Sequence, residues 1–347
     1  MLTELLRKLQ HERSDLTADE IGAALAALMS PDNDDEVKAA FLLALRTKGE
    51  TAAEISALAK ALLAFSVDPE IDFQRLAGPV IDLCGTGGDG LELFNVSSAA
   101  MFVLAAGGAC IVKHGNRAIT SRSGGADVLA ELGVPIRLPP ARLCESLERH
   151  GLGFMFAPDY HPAFQSIAPV RRLLAERGER SVFNLLGPLL NPARPPRQLT
   201  GVFSAELVPV FAEVFANLGR TCAWAVHGWV DATRGMDEIS PLGPSDVGRV
   251  ELGVVTPGRI EAAEFGLPPV ESLADLRGGE PAENARLIVG ILRGEITDAR
   301  RDFVVMNAAA GFVVAGLADT LPAGVALALE QLASGRALAK LEVARTA

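Results

Sequence analysis

The sequence predicts an α/β protein: a small N-terminal helical bundle followed by a larger α/β domain with a mostly parallel central sheet. Two observations carry this. The first 70 residues hold apolar positions at helical spacing only, and from Pro79 onward short apolar runs alternate with helical patterns. In the first segment, Thr17-Ala18-Asp19-Glu20 and Thr51-Ala52-Ala53-Glu54 have the S/T-x-x-E form of a capping box. Ile21, Ala24, Leu25 and Leu28 follow the first box, and Ile55, Leu58 and Leu62 follow the second. Phe41, Leu42 and Leu45 mark a helix between them. The expected domains are 1–70, a helical domain completed by later helices, and 75–347, the α/β domain, with Asp68-Pro69-Glu70 as a connector.

In the second segment, Pro79–Leu83 reads as a strand that enters Gly85-Thr86-Gly87-Gly88-Asp89-Gly90. A helix is expected from Ser97 to Gly107, a strand at Cys110–Val112 and another helix from Gly124. Strands at Thr200–Phe203 and Cys222–Val226 bracket a helix that starts near Glu206. From Ala282 to Ala347 the chain is Ala-rich and reads as mostly helical.

Composition bounds the function. The chain has 347 residues, about two domains' worth. Its 49% hydrophobic and 22% charged content is that of a globular protein and excludes extensive disorder. A net charge of −11 argues against nucleic acid or an anionic membrane as a partner held by the overall field. Cys84, Cys110, Cys144 and Cys222 lack CxxC spacing, which argues against zinc and against a disulfide framework. The amphipathic start, Met1-Leu2-Thr3-Glu4-Leu5-Leu6, is unlike a signal peptide, and no apolar run reaches the roughly 18 residues of a membrane helix. A cytoplasmic protein is expected.

Several runs carry chemistry. The glycines of Gly85–Gly90 allow close backbone approach to a ligand, which suits phosphate oxygens; a plain strand-to-helix turn is the other reading. Asn95, Ser97 and Ser98 offer short donors at the next helix start, or simply cap it. Lys113-His114-Gly115-Asn116-Arg117-Ala118-Ile119-Thr120-Ser121-Arg122-Ser123-Gly124-Gly125 contains cations, an imidazole and hydroxyls but no acid. We read it as a second anion loop, with His114 placed to touch the ligand. Asp237-Glu238 is a solvated surface pair, or, with a polyphosphate substrate, a Mg²⁺ site, because Mg²⁺ takes one or two carboxylates together with phosphate oxygens and water. Among the arginines from Arg171 to Arg197, one can grip a carboxylate substrate through a bidentate pair.

In order along the chain, Gly85-Thr86-Gly87-Gly88-Asp89, Asn95-Val96-Ser97-Ser98, Lys113–Ala118, Ala126-Asp127-Val128-Leu129, His161-Pro162-Ala163, Ala168-Pro169-Val170-Arg171, Phe183–Pro192 and Met236–Ser240 resemble the anthranilate phosphoribosyltransferases. The resemblance spans essentially the whole chain. It implies an active site between a helical and an α/β domain, a homodimer formed largely through the helical domain, and Mg²⁺, expected as two ions. It implies transfer of phosphoribose from phosphoribosyl pyrophosphate to the amine of anthranilate, in tryptophan biosynthesis. Gly85, Gly88, Asp89, Asn95, Ser97, Ser98, Lys113, His114, Gly115, Asn116, Arg117, Ala118, Ser121 and Gly125 are then expected on phosphoribosyl pyrophosphate. Gly85, His114, Asn116, Arg171, Gly187 and Pro188 are expected on anthranilate, with Arg171 toward its carboxylate. Ser97, Asp237 and Glu238 are expected on the metal, and His114 is the candidate to take up a proton.

The chain departs from the family pattern at Leu93 and Ser98, where Thr is usual, and at Gly125, where Ser is usual. The changes at Leu93 and Gly125 each remove a hydroxyl. Alternative readings are the same transfer to another aromatic amine, a pyrimidine nucleoside phosphorylase, or a non-catalytic relative that binds nucleic acid. Asp237-Glu238 argues against the phosphorylase, and the net charge argues against the nucleic-acid binder.

Overall fold

Capping decides where the first helices begin. The structure is a computed structural model and describes residues 1–118 and 122–346. Helix α1 (Leu2–Arg7) runs on through a π-helical turn to Glu12. It is followed by α2 (Ala18–Met29), α3 (Asp35–Lys48) and α4 (Ala52–Leu63). Both expected capping boxes form: Thr17 Oγ1 accepts from Glu20 N at 3.3 Å, and Thr51 Oγ1 accepts from Glu54 N at 3.2 Å. In return the Glu20 and Glu54 carboxylates accept from Thr17 N and Thr51 N.

Thereafter the order is β1 (Val80–Gly85), α5 (Val96–Ala106), β2 (Cys110–Gly115), α6 (Gly125–Glu131), α7 (Pro140–His150) and β3 (Leu152–Phe156). The single turn α8 (Ala157–Tyr160) and α9 (Phe164–Glu176) lead to β4 (Arg197–Gly201), α10 (Leu207–Asn217), β5 (Cys222–Trp229), β6 (Gly235–Met236), β7 (Ser245–Glu251) and β8 (Val254–Ile260). The chain ends in α11 (Pro281–Leu292), α12 (Ala299–Ala315), α13 (Leu321–Ala333) and α14 (Arg336–Ala344). Among the described residues no helix is long and apolar enough to cross a membrane.

The chain divides into two compact units. One comprises Met1–Asp68 and Pro158–Arg194, the other Pro69–Ala157 and Pro195–Ala347. In the first, Phe41, Leu42, Ile55 and Leu62 form the interior, and Arg46–Glu179 and Arg177–Glu36 pair α3 with the end of the returning segment.

In the second unit an eight-stranded sheet runs β3-β2-β1-β4-β5-β7-β8, with β6 beside β5. The strands from β3 to β5 are parallel, and β6, β7 and β8 are antiparallel. Ile81, Leu83, Ile111 and Leu199 share the main apolar core with α5 and α12. Gly153 and Gly248 face the other way, against Leu143 and Leu147 of α7 and against Ala212 of α10. Strand order reverses between β1 and β4. In open α/β sheets that reversal opens a crevice at the carboxyl ends of the strands.

Two expectations shift. The strand expected at Thr200–Phe203 lies earlier, at Arg197–Gly201, because it pairs with Ile81–Gly85 of β1. The antiparallel strands β6 to β8 and the parallel strand β3 add to those foreseen.

Candidate active site

Three glycines at the carboxyl ends of neighbouring strands make a trough. A Cβ on Gly85 of β1 would overlap the Asp237 carboxylate, and one on Gly201 of β4 would overlap the Asp237 carbonyl. A Cβ on Gly228 of β5 would meet the backbone of Glu238 and Ser240. Gly85 and Gly201 are register partners, so the slot sits at the strand-order reversal. The segment after β6 lies in it and is pinned at its far end: Asn307 of α12 accepts from Ile239 N at 3.0 Å and donates to Ile239 O at 3.3 Å. Gly201, Gly228 and Asn307 carry no motif signal, since their role depends on contacts distant in sequence.

The trough brings the carboxylates together. Burial, then repulsion by Asp89, raises the Asp237 pKa to about 7, although Gly87 N donates to Asp237 Oδ2 at 2.6 Å. Glu238 is raised well above its ordinary value by burial and by Asp237, against the opposing pull of Lys113 and a hydrogen bond from the Ser97 amide. These groups are half-buried rather than surface carboxylates. Gathered acids that resist ionisation favour a cation in their midst. Oxygen donors on Asp237, Glu238 and Ser97 suit Mg²⁺, which takes only a few protein ligands and completes its shell with phosphate and water. Among the described residues no group of three or more His, Cys, Asp or Glu side chains forms a self-sufficient metal cage.

The glycine loop joins this acid pair to α5. Gly87 and Gly88 have φ of +67° and +83°, conformations that a residue with a side chain adopts only with strain. The Gly87 amide is committed to Asp237, so the loop first fixes the acids. Asp89 Oδ1 accepts from Leu91 N at 3.1 Å. At the start of α5, Ser97 Oγ accepts from Lys113 Nζ at 3.3 Å, and Lys113 also donates to the Leu83 carbonyl. Ser98 Oγ is buried without a hydrogen-bond partner among the described residues. The lysine ammonium therefore lies beside the acids and the helix N-terminus.

The second loop leaves β2 after buried Lys113 and His114 and half-buried Gly115. Its acids come from elsewhere in the chain. Arg117 pairs with Asp127 at 2.8 Å, and Arg122 pairs with Glu280 at 2.9 Å. Asp127 Oδ2 also accepts from Ala118 N at 2.8 Å and Gly124 N at 3.1 Å, drawing the loop's two ends together. Burial acts to raise the Asp127 pKa, but these donors outweigh it and hold the carboxyl below its ordinary range. Asn116 Oδ1 accepts from Arg117 N, and its carbonyl accepts from Ala126 N. A Cβ on Gly125 would lie 3.7 Å from Ser98 Oγ and 3.9 Å from Lys113 Cε, so this position faces the same donors. Ser121 lies outside the described residues.

Arg171, Gly187 and Pro188 belong to the first unit. Arg171, on α9, stacks its guanidinium over Phe164 at 5.5 Å and Phe183 at 6.0 Å. Burial lowers its pKa, and no carboxylate pairs with it among the described residues. A desolvated cation without an anion is costly and favours an incoming carboxylate. His161 extends the stack edge-on to Phe164 at 5.8 Å and is tied to Leu190 O at 2.8 Å. Gly187 is exposed and opens a 3₁₀ turn in which Pro188 is buried. Phe183 opens one of the runs that carry the family resemblance, but Phe164 was not singled out from the sequence, because an apolar ring on a helix reads as core.

Comparison with known proteins bears on this arrangement. The helical bundle domain of a glycosyl transferase family matches residues 3–66, and the a/b domain of that family matches residues 77–338. Anthranilate phosphoribosyltransferase of Phenylobacterium zucineum is 44% identical over 332 residues, covering 94% of this chain and 93% of the relative. The crystal structure of anthranilate phosphoribosyltransferase from Thermus thermophilus has a TM-score of 0.88 at 40% identity, covering 99% of this chain and 98% of that one. The Saccharomyces cerevisiae enzyme in complex with phosphoribosyl pyrophosphate and Mg has a TM-score of 0.85 at 30% identity, covering 98% and 96%. Matched along nearly its whole length in sequence and fold, the chain belongs to the anthranilate phosphoribosyltransferase family of glycosyl transferases.

Proposed function

We propose that this enzyme transfers phosphoribose from 5-phosphoribosyl 1-pyrophosphate to the amine of anthranilate, releasing pyrophosphate and serving tryptophan biosynthesis in the cytoplasm. The observation that carries the reading is the trough that holds Asp237 and Glu238 beside Lys113 and the α5 N-terminus. Gly85, Gly88, Asp89, Asn95, Ser97, Ser98 and the loop from Lys113 to Gly125 bind the phosphoribosyl pyrophosphate. Asp237, Glu238 and Ser97 hold Mg²⁺, as two ions. When bound, the metal neutralises charge that develops on the pyrophosphate leaving group.

The protein's own groups do the rest. Lys113 and the α5 N-terminus oppose negative charge at the donor. As the C1–O bond to pyrophosphate breaks, positive charge builds on the ribose and the amine nitrogen bonds to C1. An aromatic amine is uncharged near neutral pH, so it attacks without a strong base, and positioning and electrostatics supply the acceleration. Arg171 grips the anthranilate carboxylate, and His114, Asn116 and the Gly187-Pro188 turn contact its ring. His114 is the candidate to take the amine proton once the C–N bond has formed. The assembly is a homodimer through the helical unit, where the exposed apolar side chains Phe65 and Val67 support a covered face.

Asp237→Asn and Glu238→Gln test the metal assignment. Each is expected to raise the Mg²⁺ concentration for half-maximal rate at least about tenfold while the fold survives, since each removes a charged ligand. Unchanged Mg²⁺ dependence in both variants contradicts it.

A further inference from the structure

Asn95 caps α5 and is among the residues assigned above to phosphoribosyl pyrophosphate. Its side-chain hydrogen bonds fix which end of the amide is available. Oδ1 accepts from Ser123 Oγ at 2.8 Å and from Asn284 Nδ2 at 2.9 Å. Nδ2 donates one hydrogen to Ser123 O at 3.1 Å. An amide oxygen accepts two bonds and an amide nitrogen donates two. The oxygen is therefore filled, and among the described residues one N–H is uncommitted.

Asn284 is itself oriented by the backbone. It lies on α11, is 1% exposed, and its Oδ1 accepts from Gly279 N at 2.8 Å. A backbone N–H can only donate, so Asn284 must turn its oxygen to Gly279 and its NH₂ to Asn95. That NH₂ in turn obliges Asn95 to present its oxygen, which sends the remaining Asn95 N–H elsewhere. The glycine at 278 makes room, because a Cβ there would press on Asn284 Oδ1 at 2.5 Å and on Phe94.

We propose that Asn284 is a positioning residue for the phosphoribosyl donor. Through a directed chain of donors, Gly279 N–H to Asn284 to Asn95, it makes Asn95 offer an N–H rather than a carbonyl to a phosphate oxygen at the start of α5. The inference rests on the reading of Asn95 as a contact to that substrate. A phosphate oxygen accepts hydrogen bonds and repels a carbonyl, so the amide's orientation decides whether the contact attracts.

Steady-state kinetics with each substrate varied separately, alongside thermal unfolding, test this in Asn284→Asp, Asn284→Ala, Ser123→Ala and Asn95→Ala. Aspartate at 284 still accepts from Gly279 N–H but sets an oxygen against Asn95 Oδ1, and so turns the amide over. The expected result is a rise in KM for phosphoribosyl pyrophosphate of about tenfold or more in Asn284→Asp. That rise exceeds the one in Asn284→Ala, leaves KM for anthranilate within about twofold, and vanishes when Asn95 is already alanine. Ser123→Ala, which removes the other donor to Oδ1 from a loop position, shifts the same KM in the same direction and serves if the 284 variants fail to fold. Two outcomes overturn the inference. One is an Asn284→Asp KM within about twofold of the parent while Asn95→Ala raises it. The other is an alanine variant as impaired as the aspartate, with kcat, both KM values and Tm falling together, which marks a packing role. An Asn95→Ala enzyme with unchanged KM for phosphoribosyl pyrophosphate overturns instead the reading of Asn95 on which the inference rests.

Discussion

The two positions at which the chain lacks a family hydroxyl behave differently. Leu93 is half-buried against the main core and bridges its backbone to Arg277, so it is used for packing. Gly125 opens α6 with room for a Cβ at ordinary contact distance from Ser98 and Lys113. Replacing it with alanine introduces no clash and restricts the unfolded chain. Gly125→Ala is therefore expected to raise stability by about 0.4–1 kcal/mol, read from urea unfolding. A loss of stability would mean that the backbone there needs glycine. Lys113 and Asp237 stand out in the sequence by their own residue types, whereas Arg171 is one of several arginines between Arg171 and Arg197 and is singled out only by the family resemblance. Residue chemistry was not legible for Asn284 and Asn307, whose amides matter because Asn95 and Ile239 lie beside them across 189 and 68 residues of sequence. The ion pair of Arg122 with Glu280, across 158 residues, was hidden for the same reason.

Among the elements, the start of α4 concentrates charge in the interior of the first unit. Lys48 and Glu54 pair at 2.8 Å with side chains only 4% and 1% exposed, and Asp15 joins at 2.7 Å. Glu54 also accepts from Leu16 N at 2.8 Å, tying the α1–α2 connection to α4. Glu54→Ala leaves the ammonium buried beside a single exposed acid and breaks the capping box. It is expected to cost about 3–5 kcal/mol by chemical denaturation, whereas a cost below about 1 kcal/mol would show that water reaches Lys48. Helix starts were read well from sequence because a cap is a local signal. Strand β3, Leu-Gly-Phe-Met-Phe, is buried throughout, and a short continuous apolar run does not distinguish strand from helix. Strand β8 is an edge strand with mostly exposed residues, so it lacks the apolar alternation that marks a half-buried strand.

On the scale of the whole molecule, a chain of net charge −11 handles an anionic substrate by local arrangement. Lys113 and a helix N-terminus face the acids in the second unit, and Arg171 is held by aromatic rings in the first. Stability with pH carries a signature of that first unit. Burial depresses the His161 pKa below its ordinary value of 6.5, against a hydrogen bond to Leu190 O that favours the charged form. Above pH 6.5 the ring is neutral in both folded and unfolded chains, and the stabilisation is complete. Below it the unfolded chain binds a proton that the folded ring resists, so stability falls until the folded pKa is reached, by up to about 1.4 kcal/mol per pH unit. His161→Gln is expected to lose less stability than the parent between pH 7 and pH 5, measured as urea midpoints. Equal losses would place the acid sensitivity elsewhere.

The central claim is phosphoribosyl transfer to anthranilate, with Arg171 as the carboxylate contact. Anthranilate is fluorescent, so its consumption can be followed directly with phosphoribosyl pyrophosphate and Mg²⁺, against a chelated control and Arg171→Ala. The expected result is turnover that stops with chelation. In Arg171→Ala, kcat/KM for anthranilate falls by roughly 10–150-fold, the value of a charged hydrogen-bonded contact, while KM for phosphoribosyl pyrophosphate stays within about twofold. A folded protein that binds phosphoribosyl pyrophosphate and never consumes anthranilate would contradict the reaction. Turnover indifferent to Arg171 would contradict the carboxylate contact.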